Sequence, residues 1–268
     1  MKIGIIGQGA IGGYVTARLR ERGLGPAVIL ARAGARAGSG ESSRTDPAAD
    51  PIPRVHAVAD LPPDLGLVAE CAGHAALAEH GAAILARGID IVSVSPGALA
   101  DPALERALAQ AARRGGARLH LAIGAIGALD SLQAARVGGL EEVIYVGRKP
   151  PCGWRGSPAE ERLDLDALGA PAVHFEGSAR EAALAYPRNA NVAAAVALAG
   201  LGLDATRVRL VADPGAATNI HEVRARGAFG RLSFRVEGEA LADNPRSSAL
   251  AAMSVVAAIE RHLAPVGF

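Results

Sequence analysis

Aromatic side chains and net charge are both scarce in this 268-residue sequence. Aromatic residues make up 3% of it and the formal net charge at pH 7 is +1, so neither stacking platforms nor a basic surface favours nucleic-acid binding. Uninterrupted apolar runs of the roughly 18 residues that a membrane-spanning helix needs are also missing. We therefore expect neither nucleic acid nor a membrane among the partners of this protein.

Cysteine occurs only at Cys71 and Cys152, which do not form a CxxC pair. The amino terminus lacks the charged, apolar and small-residue regions of a secretion signal, so we expect a cytoplasmic protein. The seven histidines show no HExxH spacing and no companion CxxC pairs. This pattern predicts that the protein binds no metal.

Apolar residues, in contrast, make up 50% of the sequence, which is sufficient for a sizeable core. Short apolar strands alternate with helical patterns in the first part of the chain and predict a parallel sheet. We predict an α/β protein with a Rossmann-type parallel-sheet domain over residues 1–120 and a smaller α+β domain with a mixed sheet over residues 121–244. A final helix over residues 245–268 is expected to pack back on the first domain.

A glycine-rich turn stands between the first predicted strand and the first predicted helix, the context in which such a turn binds a dinucleotide. Gly7 permits the sharp turn, Gly9 lets the backbone approach a pyrophosphate, and Gly12 lets helix and strand pack closely. Amides at the helix amino terminus attract the phosphates. The predicted cofactor-binding residues here are Gly7, Gln8, Gly9, Ala10, Ile11 and Gly12. The alternative is a turn without a ligand.

Arg32 ends the second predicted strand, about twenty residues after the glycine turn, where a strict NAD enzyme has an acid for the ribose 2′-hydroxyl. The acid is missing. Arg32, with help from Arg36, is suited to the 2′-phosphate of NADP through charge-assisted hydrogen bonds, although it is equally compatible with an ordinary solvated arginine. We predict that the cofactor is NAD or NADP, with NADP accepted at least as well as NAD.

Loops that follow the later strands of the parallel sheet are expected to flank the nicotinamide arm, because ligands bind beyond the carboxyl ends of such strands. They contribute Cys71, Ala72, Gly73 and Ser95 as further predicted cofactor contacts. Residues 34–53 are rich in Gly, Ser, Asp and Pro and predict a mobile insertion.

Six ordered motifs resemble those of the L-aspartate dehydrogenases, whose two-domain plan is shared more loosely by dihydrodipicolinate reductases and homoserine dehydrogenases. The resemblance covers most of the chain. It rests on the turn over residues 7–12 and on residues 124–130, 148–151, 186–195, 218–222 and 243–248.

The resemblance implies roles for three residues: Ala125 and Asn191 bind the nicotinamide cofactor, and His221 is catalytic. An imidazole suits the proton transfers because its unperturbed pKa lies near 6.5. Glu222 or Asp213 are candidate groups to orient it, and the sequence does not rank them. Without the resemblance, a structural histidine within a sheet is the favoured interpretation of His221.

A dicarboxylic substrate needs cationic or amide donors for its two carboxylates. The candidates are Lys149, Asn189, Thr218 and Asn219. Lys149 is equally compatible with an exposed charge, and Asn189 with a simple helix cap.

The predicted function is NAD(P)-dependent oxidation of L-aspartate to iminoaspartate, which yields oxaloacetate and ammonia or feeds cofactor biosynthesis, together with the reverse reductive amination. One alternative is a related reductase of a semialdehyde or cyclic imine, and another is a sensor that binds NAD(P) without catalysis. We expect small-molecule partners and a homodimer, for which the small-residue helix over residues 191–201 is a plausible contact.

Replacing Arg32 by Glu tests the cofactor prediction. Because a hydrogen bond to a charged group contributes about 1.5–3 kcal/mol, the change should lower the NADP-to-NAD ratio of kcat/KM by about tenfold or more. Initial rates with the two cofactors measure that ratio. An unchanged preference would assign Arg32 to the solvated surface.

Overall fold

The computed structural model describes residues 1–32, 51–242 and 244–266. Arg36 and nearly all of the expected insertion over residues 34–53 lie outside the described residues. The chain divides into two compact units. The first consists of Met1–Ala122, Leu241–Ser247 and Ala251–Phe268, and the second of Ile123–Ala240 and Ser248–Leu250.

The first unit contains a six-stranded sheet in the order β3-β2-β1-β4-β5-β6, in which every pair of neighbours is parallel. This arrangement confirms the predicted Rossmann-type sheet. The strands are β1 (Lys2–Ile6), β2 (Val28–Leu30), β3 (Arg54–Val55), β4 (Leu65–Glu70), β5 (Asp90–Ser93) and β6 (Leu119–Leu121).

Three helices connect strands of this sheet: α1 (Ala10–Glu21), α2 (His74–Ala86) and α3 (Pro102–Gly115). The start of α3 has a clear local signal: the Asp101 carboxylate accepts a hydrogen bond from the Ala103 amide at 2.8 Å, and Pro102 is the first helical residue. The helix ends at Gly116, whose φ of 67° places it in the left-handed region.

The turn between β1 and α1 is closely packed at two of its three glycines. Gly7 has a φ of 90°, and a Cβ added to it would lie 2.7 Å from the Cβ of Ala72. A Cβ on Gly12 would overlap the carbonyl oxygen of Gly7. A Cβ on Gly9, in contrast, would meet nothing within 4 Å. Gly7 and Gly12 are therefore required for packing, whereas the space beside Gly9 is open.

The second unit contains a five-stranded mixed sheet in the order β11-β10-β7-β9-β8, in which only β7 and β9 are parallel neighbours. Its strands are β7 (Leu140–Lys149), β8 (Ala172–Ser178), β9 (Arg207–Ala212), β10 (Asn219–Gly227) and β11 (Gly230–Gly238). Its helices are α4 (Leu129–Gly138), α5 (Ala179–Ala185) and α6 (Asn191–Ala199). The sheet confirms the predicted mixed α+β character.

Strand β8 and helix α5 are additions to the elements expected from the sequence. A local signal for α5 is present, because Ser178 and Glu181 form a capping box in which each side chain accepts a hydrogen bond from the other residue's amide. The residues of α6 are almost all buried within the second unit, so α6 does not supply the exposed apolar face that was expected for a dimer contact.

The last helix begins later than the sequence predicts. Residues 244–248 form β13 (Asn244–Ser248), which pairs with β12 (Ala240–Leu241), and only then does α7 (Ala249–Leu263) begin. The helix was expected from residue 245, but the extended backbone of this ladder excludes a helix before residue 249. Val255 and Ile259 of α7 pack in one core with Val15 and Leu19 of α1 and with apolar residues of β1, β4 and β5.

Among the described residues, no helix has the length and apolar character needed to cross a membrane.

Gly12→Ala and Gly9→Ala form a matched pair of variants. The methyl group at position 12 must displace backbone, so we expect a loss of about 1–3 kcal/mol in the free energy of unfolding. At position 9 we expect a change within about 0.5 kcal/mol but roughly tenfold weaker NAD(P)H binding, because the methyl group would occupy the open space beside the turn. Urea denaturation and fluorescence titration measure the two quantities. Equal stability losses in both variants would contradict this assignment.

Candidate active site

A buried carboxylate fixes the loops after β4 and β5. Glu70, the last residue of β4, is completely buried, and its Oε1 accepts hydrogen bonds from the amides of Ala72 at 2.7 Å and Gly73 at 2.6 Å. Its Oε2 accepts a hydrogen bond from the Ser93 hydroxyl at 2.6 Å, and the Ser93 oxygen accepts one from the Ser95 amide at 3.0 Å. Glu70 was not among the residues predicted from the sequence, although an acidic residue at the end of an apolar strand was a usable signal.

The predicted nucleotide-binding residues of the first unit meet at one edge of its sheet. The glycine turn follows β1, Cys71 to Gly73 follow β4, and Ser95 follows β5, and these three strands are neighbours. Cys71 and Ser95 are buried, so these loops offer mainly Ala72 and Gly73 to a ligand. Burial also raises the pKa of the Cys71 thiol well above its usual value.

This edge fits a dinucleotide. The open space beside Gly9 lies at the start of α1, where no side chain caps the helix, so its first amides are suited to a phosphate. Arg32 follows β2, the other neighbour of β1, and is exposed. Its contact with a 2′-phosphate stays a prediction.

In the second unit, His221 lies within the sheet. It is on β10, opposite Gly147 of β7 and Val236 of β11, and only 4% of its surface is exposed. The Tyr145 hydroxyl lies 2.7 Å from His221 Nδ1, and the two rings stack with an interplanar angle of 20°. A Cβ on Gly147 would lie 2.8 Å from that hydroxyl. Glycine at position 147 therefore leaves the space through which Tyr145 orients the imidazole.

Neither of the orienting groups considered from the sequence serves that role. The Asp213 carboxylate accepts hydrogen bonds from Arg148 at 2.7 Å and from the Gly215 amide at 2.8 Å. Glu222 follows His221 on β10, so its side chain points to the other face of the sheet, where it pairs with Arg224 and Arg235. Tyr145, which sequence analysis missed, takes their place.

Lys149 lies at the end of β7 on the same face as Tyr145 and Gly147. Its Nζ donates a hydrogen bond to Asn189 Oδ1 at 2.7 Å and lies 5.0 Å from the centre of the Trp154 ring. The side chains of Lys149 and Asn219 both approach Gly153. Three predicted substrate-binding residues, Lys149, Asn189 and Asn219, are thus brought together.

The other predicted residues of this unit have different surroundings. Thr218 donates its hydroxyl proton toward the Gly238 carbonyl at 2.6 Å, which occupies its only donor. Ala125 is buried just before α4, and Asn191 is the first residue of α6. Their roles toward substrate and cofactor stay predictions.

Burial sets the protonation states of His221, Lys149 and Tyr145. It lowers the pKa of His221 to about 4, with a further contribution from the charge of Lys149, and it lowers the pKa of Lys149 to about 8. Burial also raises the pKa of Tyr145, which stays protonated. At neutral pH the imidazole is therefore neutral and most of the lysine is charged, whereas the sequence alone suggested an imidazole that titrates near 6.5.

Comparison with known proteins identifies the chain. Family models described as "Aspartate dehydrogenase, C-terminal" and "Homoserine dehydrogenase, NAD binding domain" match residues 130–262 and 7–122. The L-aspartate dehydrogenase of Ruegeria pomeroyi is 52% identical over 266 residues, which cover 99% of this chain and 94% of that protein. The L-aspartate dehydrogenase of Cupriavidus necator is 58% identical over 200 residues, 75% of this chain and 74% of the relative.

Solved structures agree with these matches. The crystal structure of aspartate dehydrogenase from Thermotoga maritima has a TM-score of 0.73 and 29% identity, with 100% of this chain and 99% of that chain covered. A hyperthermophilic archaeal homoserine dehydrogenase in complex with NADPH has a TM-score of 0.58 at 12% identity, covering 98% of this chain and 97% of the other, and shows the same fold.

These features and relatives are those of a nicotinamide-nucleotide-dependent oxidoreductase. The chain belongs to the L-aspartate dehydrogenase family. Its cofactor is accordingly NAD or NADP.

Binding of succinate, a dicarboxylate that does not titrate above neutral pH, tests the role of Lys149. Because only the charged ammonium attracts a carboxylate, affinity should fall as the pH rises through about 8, by about tenfold between pH 7 and pH 9. Calorimetry with saturating NADPH measures it. Lys149→Arg keeps its charge over this range and should flatten the profile. If the affinity of the arginine variant for succinate fell equally between pH 7 and pH 9, titration of Lys149 would be excluded as the cause of the pH dependence.

Proposed function

We propose that this chain catalyses the reversible NAD(P)-dependent oxidative deamination of L-aspartate. L-aspartate, NAD(P)⁺ and water give oxaloacetate, ammonium, NAD(P)H and one proton. One observation carries the proposal. In this member of the family, a single buried cluster contains both His221, an oriented and neutral imidazole, and Lys149, a lysine whose pKa is near 8.

Lys149 is suited to bind a carboxylate of the substrate. An ammonium group has three donors, and the bond to Asn189 uses one of them, so two remain for a ligand. Asn219 lies near Gly153, as the aliphatic part of Lys149 does, and its amide is proposed as a further donor. The charge of Lys149 is poorly solvated, because the side chain is largely buried and its Nζ lies next to the Trp154 ring. An anionic ligand that compensates this charge is therefore favoured.

His221 is suited to the proton transfers at the reacting carbon. Its Nδ1 is held by Tyr145, so Nε2 is the nitrogen available to accept a proton from the substrate ammonium or from the water that attacks the imine. A hydroxyl both donates and accepts hydrogen bonds, so Tyr145 is compatible with either tautomer of the imidazole. A bound dicarboxylate offsets the Lys149 charge and thereby raises the His221 pKa toward the working range.

NAD(P), when bound, supplies the hydride acceptor for the α-hydrogen of the substrate. The glycine turn, Ala72 and Gly73 would hold it within the first unit, and the exposed Arg32 would favour a 2′-phosphate. Contacts by Ala125 and Asn191 belong to the same proposal. The iminoaspartate formed is hydrolysed or passes to cofactor biosynthesis.

A homodimer in the cytoplasm is part of the proposal. Val137 and Leu184, exposed by 90% and 61%, offer apolar surface for a symmetric contact. Both cysteines are free, and Cys152 is exposed, as suits a reducing compartment. Light scattering after size-exclusion chromatography gives the oligomeric state.

Oxidation of NAD(P)H by oxaloacetate, with and without ammonia, tests the reaction. We expect oxidation only with ammonia. Oxidation without it would indicate a ketoacid reductase, and tight NAD(P)H binding without turnover on any related substrate would indicate a sensor.

His221→Ala should lower kcat by about 10²-fold or more, the usual contribution of a general acid-base group, with nearly unchanged NAD(P)H affinity. Tyr145→Phe should give a smaller loss, because the imidazole remains but is less well oriented. His80→Ala, on α2 of the other unit, is the control and should retain activity. Comparable turnover in the His221 variant would remove that residue from the mechanism.

A further inference from the structure

Asp90, His120 and His262 form a polar cluster inside the first unit. Asp90 begins β5, His120 is the central residue of β6, and His262 lies in the last turn of α7. His120 is paired with Val92, two residues after Asp90, so both side chains point to the same face of the sheet. His262 follows Ile259 by one helical turn and therefore faces the sheet as Ile259 does.

The three side chains converge on one point. Asp90 Oδ2 lies 3.5 Å from the Nε2 atom of His120 and 3.5 Å from that of His262. The two imidazole rings meet edge to face at 5.0 Å, and one atom from each of the three residues lies within 4.8 Å of the other two. In the part of the chain that the structure describes, the buried Nε2 of His120 has no hydrogen-bond partner.

The carboxylate is held so that one oxygen faces the histidines. Asp90 Oδ1 accepts a hydrogen bond from the Arg118 amide at 2.7 Å, which fixes the side chain and leaves Oδ2 for another partner. A carboxylate anchored through its second oxygen in this way is typical of a metal ligand.

We propose that Asp90, His120 and His262 bind a divalent transition-metal ion, with Zn²⁺ as the best fit. Zinc takes imidazole nitrogen and carboxylate oxygen at about 2.0–2.2 Å, so two ligand atoms in tetrahedral geometry lie about 3.4 Å apart. Both Asp90-to-histidine distances match that separation without rearrangement. The fourth position is left for water, and the partly exposed side chains provide a path for entry.

The lowered pKa of His120 is compatible with metal binding. Burial lowers the pKa of His120, and His262 and Arg118 act in the same direction against the carboxylate of Asp90. A neutral imidazole is the form that binds metal.

The site would fasten α7 to the sheet and has no part in the dehydrogenase reaction. Asp90 is at the amino end of β5, whereas the nucleotide-binding loops follow the carboxyl ends of β1, β4 and β5. The spacing rules that predicted no metal in the sequence cannot detect ligands contributed by three separate elements. The inference reverses that prediction and does not depend on the proposed function.

Zinc titration of the purified full-length protein, stripped with EDTA and desalted, tests the proposal. Competition with a chromophoric chelator gives stoichiometry and affinity for wild type, Asp90→Asn, His120→Gln and His262→Gln. His80→Gln on α2 is the matched control. We expect one zinc per chain in wild type and control, and an affinity about tenfold or more weaker in each cluster variant.

Thermal unfolding with and without zinc gives a second readout. Zinc should raise Tm in wild type and in His80→Gln but not in the cluster variants, because a ligand stabilises only the state that binds it. Circular dichroism and ammonia-dependent NAD(P)H oxidation verify that each variant is folded. The proposal would be overturned if wild type bound no zinc, or if the cluster variants bound zinc as tightly as wild type. A Tm that rises at lower pH but not with zinc would identify a pH-dependent ion pair instead.

Discussion

The chemistry of the second unit depends on a lysine charge held in poorly solvating surroundings. Burial lowers the pKa of Lys149 to about 8, and the remaining positive charge helps to keep His221 neutral. Both effects favour a dicarboxylate ligand, because an anion compensates the lysine and restores basicity to the histidine. Asn189 and Tyr145 hold the two groups in place, so the substrate class follows from electrostatics as well as from family membership.

The first unit uses a buried carboxyl group for a different purpose. Glu70 receives hydrogen bonds from two backbone amides and a serine hydroxyl, and it thereby fixes the loops beyond two neighbouring strands. A buried carboxyl group is stable only when its oxygens have hydrogen-bond partners in this way. Glu70 therefore fixes the loops predicted to bind the cofactor before the cofactor binds, and it need not touch the cofactor itself.

The proposed zinc site and the proposed catalytic cluster of Tyr145, Lys149, Asn189 and His221 illustrate one limit of sequence interpretation. In each, the side chains that meet come from elements far apart in the chain: β5, β6 and α7 in one, and β7, β10 and the segment before α6 in the other. Motif spacing detects residues that share one helix or loop. It cannot detect a cluster whose members lie on different strands and meet only when those strands are aligned in the sheet. Tyr145 was missed for this reason, since its contact with His221 requires the alignment of β7 with β10.

Local periodicity and contiguous motifs are enough to predict the parallel first sheet, the glycine turn, the start of α3 and the family. The sequence also identified Lys149, Asn189, Asn219 and His221 as candidates. The tertiary structure decided which groups touch: Tyr145 orients His221, while Asp213 and Glu222 pair with arginines. It also decided the protonation states, because a pKa responds to burial and to neighbouring charge, and both exist only once the chain is folded.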